Sequence, residues 1–173
     1  MRNRNDFRPM DKFIRNKNSL LNNSLVGVEI GVFGGNHAYF ILRKLNMEKL
    51  FLIDPYSNDN YDEITNLGTR HLFMAQRALK RFNGKYVQIR KRSADAVDMV
   101  PDGLDFVYID GDHRFDFVMK DIELYFPKVK SGGVFGGHDY CDMHPDVIRA
   151  VDDFVDKTGY HLFQEDIDWW VVK

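Results

Sequence analysis

Five short apolar runs punctuate the chain: Gly27–Ile30, Leu50–Ile53, Tyr86–Ile89, Leu104–Ile109 and Gly133–Gly136. Each is rich in Val, Ile, Leu or Phe, and most end at Gly or Asp. Runs of this length and composition fit strands of a parallel sheet covered on both faces. Helical patterns lie between them, at His37–Leu45, Ile64–Phe82, Phe115–Phe126 and Val147–Lys157. In the longest of these, Leu67, Phe73, Met74, Ala78 and Leu79 supply the apolar positions. Alternating strands and helices predict right-handed βαβ units. The alternation stops near the end, where Tyr160–Glu165 and Trp169–Lys173 read as strands with three residues between them. That spacing predicts an antiparallel hairpin. The expected fold is therefore α/β: a doubly wound, mostly parallel, seven-stranded Rossmann-like sheet with a C-terminal antiparallel hairpin. Residues 25–173 form this domain, and residues 1–24, rich in Asn, Arg and Lys, form a short helix or partly ordered arm.

Bulk properties narrow the function classes. The 173 residues suffice for one substantial core. A net charge of -2 gives no overall pull toward nucleic acid or an anionic membrane. The charge is uneven, however. Arg77–Arg92 holds seven bases and no acid, and Asp139–Asp168 holds nine acids against Arg149 and Lys157. The basic stretch reads as a solvated helix face followed by a polar strand edge, with a local anion-binding patch as the alternative. One cysteine, Cys141, excludes an intrachain disulfide and suits a reducing compartment. No apolar run approaches the roughly 20 residues of a membrane span. The basic N-terminus lacks the apolar stretch of a secretory signal, so a cytoplasmic location is expected.

The first strand leads into Gly31-Val32-Phe33-Gly34-Gly35-Asn36-His37. Glycines here let the backbone turn sharply and approach a ligand. A following helix offers free N–H groups to a carboxylate or phosphate. Glu29, at a buried strand end, needs donors from a ligand ammonium or from the turn. Asp54 closes the second strand 23 residues after Gly31, a spacing that lets a carboxylate accept ribose hydroxyls. The Gly-x-Gly-x-x-Gly of nicotinamide enzymes is missing.

The fourth and fifth strands end in Asp110-Gly111-Asp112-His113 and Gly137-His138-Asp139-Tyr140. If these strands are neighbours, Asp110, His138 and Asp139 converge on the ligand crevice. Two carboxylates and an imidazole admit Mg, Mn or Zn. Such an ion would lower the pKa of a substrate hydroxyl. Alternatively, His138 or His113 takes the proton as a general base. Asp112 equally suits a cap on the helix at Phe115.

Glu-Ile-Gly-x-x-x-Gly, Ile-Asp-Pro, Ser-Ala-Asp, Tyr-Ile-Asp-Gly-Asp-His and Gly-Gly-His-Asp-Tyr follow one another in this order. Together they resemble class I S-adenosylmethionine (SAM)-dependent methyltransferases over Leu25–Lys173. The likeness is greatest to the branch of catechol O-methyltransferase-like and macrolide-sugar O-methyltransferases. The resemblance implies that Glu29, Gly31, Phe33 and Gly35 line the methionine part of SAM, with Asn36 and His37 beside them. It places Asp54 on the ribose, Ser93 and Ala94 on the adenine, and Asp110 near the amino group. It makes Asp110, His138 and Asp139 the metal set, and Asp110, His138 and His113 the catalytic candidates. His37 stands where relatives often carry Ser or Thr, and His138 replaces a carboxylate of some metal-dependent members. The segment before Leu25 is short beside relatives with helical extensions there.

The implied reaction is O-methylation of a hydroxyl-bearing small molecule, with Pro55–Gly68 and Tyr140–Val147 on the substrate side. Tyr56, Tyr61 and Tyr140 are there either to stack on substrate or to pack. Nucleic acid is not the expected partner, and a homodimer is allowed. Three other readings stay open: a nicotinamide or nucleotide-sugar oxidoreductase, a non-catalytic SAM-binding protein, and a nucleic-acid methyltransferase guided by Arg77–Arg92. The missing nicotinamide fingerprint and the hairpin weigh against the first. Near-neutral charge and the lack of an Asn/Asp-Pro-Pro-Tyr motif weigh against the last.

Overall fold

The computed structural model describes residues 7–19, 23–57 and 67–173. Helix α1 (Pro9–Ser19) precedes the alternating part of the chain. Then follow β1 (Leu25–Ile30), α2 (Asn36–Lys44), β2 (Met47–Ile53), α3 (Leu67–Leu79), β3 (Tyr86–Ile89) and the short α4 (Ser93–Ala96). The remaining elements are β4 (Leu104–Ile109), α5 (Phe115–Tyr125), β5 (Val129–Gly137), α6 (Pro145–Thr158), β6 (Phe163–Glu165) and β7 (Asp168–Val172). The strands form one sheet in the order β3-β2-β1-β4-β5-β7-β6. The first five run parallel, and β7 pairs antiparallel with both β5 and β6. The expected fold class is thus the observed one. The expected helix over Ile64–Phe82 is seen from Leu67, and its last turn tightens to a 3-10 helix at Lys80–Phe82. Residues 64–66 lie outside the described residues.

Side chains alternate across the sheet with the period of two that strands impose. Phe106 and Tyr108 of β4 point into the layer with α1, α2 and α3, while Val107 and Ile109 join α5 and α6. Trp170 and Trp169 of β7 divide the same way. Both faces are therefore buried, which explains why the strands read as continuous apolar runs. Helix α1 belongs to this core, since Met10 and Ile14 are buried and Phe13 packs its ring on Phe163 and Trp170. Of the two forms expected for this segment, a short helix or a partly ordered arm, the described residues 9–19 take the helix, and it is packed into the core. Among the described residues, no helix is long and apolar enough to cross a membrane.

Gly27 faces Phe106 across the β1–β4 pair, and a Cβ there would sit 2.3 Å from the Phe106 ring. Gly27→Ala should cost ~2 kcal/mol in urea unfolding, within the usual range for overpacking. Phe106→Leu in the same chain should recover part of that loss.

Candidate active site

Strand order reverses between β1 and β4, and in open α/β sheets that switch point opens a crevice at the carboxyl ends of the strands. A cavity of about 400 Å³ lies there, within the range of small-molecule sites. Of the residues expected on SAM, Gly31, Phe33, Asp54, Ser93, Ala94 and Asp110 all line it. Ile30, Ile53 and Phe117 add apolar wall.

The β1–α2 turn is stitched into place by its neighbours. Gly31 donates its N–H to Ile53 O at 2.9 Å, and Asp110 donates its N–H to Ile30 O at 2.7 Å. Gly31 has φ +86, and a Cβ on it would lie 1.9 Å from Asp110 O, so the close approach of the two strand ends demands glycine. Asp54 completes the turn. Its Oδ2 accepts the Val32 and Phe33 N–H groups at 3.0 and 2.9 Å, and its Oδ1 accepts that of Tyr56 at 2.8 Å. One carboxylate thus holds the glycine turn against the loop after β2, while still facing the cavity.

The other residues expected on the cofactor stand elsewhere. Gly35 lets α3 approach, because a Cβ there would meet Ala75 Cα at 2.9 Å. Asn36 is exposed at the start of α2. Glu29 and His37 are buried behind the cavity wall, with His37 Nδ1 3.2 Å from Glu29 Oε1 and Nε2 2.9 Å from Asp11 Oδ2. Burial opposes a charged imidazole, but the Asp11 and Glu29 carboxylates outweigh it and hold the His37 pKa up at about 10. Burial also pushes the Glu29 carboxyl up. These residues build the site's foundation and do not line the cavity.

That foundation extends under Asp110. Arg8 Nη1 donates to Asp110 Oδ2 at 2.7 Å and to the Tyr108 hydroxyl at 2.9 Å. The Tyr108 hydroxyl donates to Asp168 Oδ1 at 2.7 Å, the same oxygen that lies 2.7 Å from His138 Nδ1. Burial works against the Arg8 guanidinium, but Tyr108 and Asp110 keep it firmly cationic. Asp168 Oδ2 also accepts the Met10 N–H, and Asp11 accepts that of Arg8, so both carboxylates satisfy free N–H groups at the start of α1.

Asp110 and His138 are therefore committed to Arg8 and Asp168. Asp110, His138 and Asp139, the expected metal ligands, do not form a ligand set. Asp139 turns instead to His113, with Oδ2 2.8 Å from Nε2, and to His144, with Oδ1 3.7 Å from Nε2. Burial opposes its ionisation, but His113, His138 and His144 hold the Asp139 carboxyl below its usual range. Among the described residues, His113, Asp139 and His144 are the group whose ligand atoms could share one ion. Asp112 pairs with Arg114 through several hydrogen bonds and also borders the cavity.

Among the expected substrate-side aromatics, Tyr56 is buried with its hydroxyl accepting from Gln88, and Tyr140 donates to Asp152. Tyr61 lies outside the described residues. Sequence reasoning did not single out Arg8, Asp11, Asp121, His144 or Asp168. Asp121 is the most telling for ligand binding. It is buried on α5 at the cavity wall, near Ser93, and its Oδ1 has no hydrogen-bond partner among the described residues. Burial lifts its pKa to about 6.

A family model described as "Methyltransferase domain" matches residues 28–140. An uncharacterized protein, R132, of Acanthamoeba polyphaga mimivirus is 31% identical over 148 residues, covering 80% of this chain. The match spans 62% of that relative's length. Among solved structures, the O-methyltransferase NovP superposes with a TM-score of 0.69 at 21% identity, over 94% of this chain and 78% of its own. An O-methyltransferase from Bacillus cereus in complex with SAH gives 0.69 at 15%, over 96% and 82%. An rRNA methylase from Streptococcus thermophilus gives 0.65 at 15%, over 95% and 94%. At these identities the structural likenesses establish the shared fold. With the family match spanning β1 to the loop after β5, this chain belongs to the class I SAM-dependent methyltransferases.

Proposed function

We propose that the chain transfers a methyl group from SAM to a hydroxyl oxygen of a small molecule. The observation that carries this reading is the switch-point cavity, with one carboxylate, Asp54, at the end of β2 and a buried carboxylate, Asp121, on its wall with one oxygen left without a partner among the described residues. The donor set fits the cofactor. Asp54 is placed to accept ribose hydroxyls, and Asp121 with Ser93 suits the amino edge of an adenine. Ile30, Ile53 and Phe117 suit the apolar faces between. SAM supplies a methyl group already activated on a sulfonium. The chain's own task is then alignment of donor and acceptor and removal of the acceptor proton. Asp110, held by Arg8, presents a fixed carboxylate to the cavity beside Gly31. His113, paired with Asp139 and with its side chain 41% exposed, is the most accessible of the expected catalytic residues.

Calorimetry with S-adenosylhomocysteine and with NAD tests the cofactor assignment. Micromolar binding of the former and none of the latter is expected, and the reverse result sinks the reading. Labelled SAM offered with panels of phenols, sugars and hydroxy acids then tests the acceptor class. The seven bases of Arg77–Arg92 are all exposed, on α3, in the turn that follows it and on either side of the edge strand β3. Salt-sensitive RNA binding with label transferred to RNA would move the acceptor from small molecule to nucleic acid.

A further inference from the structure

We propose that His113, Asp139 and His144 bind one transition-metal dication of the Zn²⁺ class at the rim of the cavity. The three come from two loops. His113 follows β4, while Asp139 and His144 lie between β5 and α6. Asp139 has φ 62, a left-handed backbone that aspartate tolerates, and this aims its carboxylate between the two imidazoles. The Asp139 oxygens lie 2.8 and 3.7 Å from the two Nε2 atoms. These separations bracket the roughly 3.3 Å between ligand atoms of a tetrahedral site with bonds near 2.0–2.1 Å. The His113 Nε2 is shielded from solvent and lies 2.8 Å from Asp139 Oδ2. The two rings stand 4.3 Å apart and tilted by 42°.

The donor types choose the metal. Two imidazoles and one carboxylate suit Zn²⁺ and its borderline neighbours, whereas Mg²⁺ and Ca²⁺ call for oxygen. Three protein ligands leave a position open, as in zinc sites that act on substrate. The side chains of His113 and His144 are 41% and 30% exposed, so that position is reachable from outside. His113 directly follows Asp112, which borders the cavity. The inner acid cluster already has its cation in Arg8, so an exchangeable cation belongs at this outer cluster.

The role at the open position rests on the methyltransferase reading. With an ion held by His113, Asp139 and His144, the open position would take an acceptor hydroxyl and make it a stronger acid, its proton passing to solvent. Its oxygen lone pair then forms the O–CH3 bond as the S–CH3 bond breaks, leaving a neutral thioether. Binding of the metal does not rest on that reading.

Protein stripped with chelator and dialysed is titrated with Co²⁺, which reports tetrahedral nitrogen and oxygen ligation by its visible absorption, and with Zn²⁺ in a calorimeter. One equivalent of each should bind. His144→Ala and Asp139→Asn should each weaken binding by roughly 100-fold or more, beyond the 10–100-fold lost when a residue that merely supports a ligand is removed. Cys141→Ser should bind as the parent does, and S-adenosylhomocysteine affinity and Tm of His144→Ala should be unchanged. Absence of the Co²⁺ spectrum, or a parent-like titration of His144→Ala, overturns the site. In that event intact S-adenosylhomocysteine binding would leave the methyltransferase reading standing. Metal binding without S-adenosylhomocysteine binding would do the opposite.

Discussion

Asp54→Ala is expected to weaken S-adenosylhomocysteine binding about 100-fold while leaving the chain folded. Hydrogen bonds to an ionised group contribute about 1.5–3 kcal/mol each. Losing two ribose hydroxyls from one carboxylate therefore removes ~3 kcal/mol, or about 100-fold in affinity. The change has a second cost, because Val32, Phe33 and Tyr56 lose their acceptor together. The glycine turn then no longer has its fixed shape before ligand arrives. Asp54→Asn separates the two effects, since an amide can present one acceptor but must turn an N–H₂ toward a backbone N–H. It should bind between the parent and the alanine variant. Calorimetry reads the affinities and circular dichroism confirms folding. An affinity within fivefold of the parent for Asp54→Ala would show that this carboxylate does not anchor the ribose.

The largest effect on stability is expected at Arg8. Arg8→Met keeps the length of the side chain and removes its charge, leaving Asp110 and the Tyr108 hydroxyl without their donor. Breaking a buried ion pair from one side costs about 3–5 kcal/mol. Arg8 and Asp110 each retain 19% exposure, so ~3 kcal/mol in urea unfolding is the better figure. The same network should make stability depend on pH. The folded His37 pKa, near 10, stands above its ordinary 6.5, so its contribution is complete below about 6.5 and fades as pH rises toward about 10. Asp11, Glu29, Arg8 and Tyr108 face the ring, and the two carboxylates make it favour the cation. Unfolding measured at pH 6 and pH 10 should show the decline. His37→Gln should flatten it, and an equal slope in both proteins would remove His37 as its source.

The sheet was legible because both of its faces are buried. Runs such as Leu104–Ile109 needed no partner information to be read as strands, and the spacing before Trp169 marked the hairpin. Gly31 and Asp54 were legible because turn and carboxylate serve local geometry. Glu29 and His37 were harder. Their positions suggest ligand contact, but helix α1 and the residue before it supply Asp11 and Arg8 from far away in the sequence, and pairing across such a separation leaves no local pattern. Two signals were nonetheless present. Asp121 falls on the buried stripe of α5 with Val118, Ile122 and Tyr125, and Asp168 opens an otherwise apolar strand. A carboxylate in either place needs a partner or a ligand. The convergence of His113 with His144 depends on the path of the loop after β5, where Asp139 takes its left-handed turn.

The bond from Met10 N–H to Asp168 closes a separation of 158 residues. Helix α1 emerges from the ribosome long before β7, yet β7 supplies the carboxylate that caps its start and Trp170, on which Phe13 packs. An isolated helix of 11 residues is marginal in water, and the share of its packing that β7 supplies arrives only when synthesis reaches the hairpin. Docking of α1 is therefore completed late, after the parallel strands have assembled. A nascent chain halted before Asp168 would leave the Met10 N–H, the Tyr108 hydroxyl and His138 without their shared carboxylate, and release of β7 would complete the layer beneath the ligand cleft.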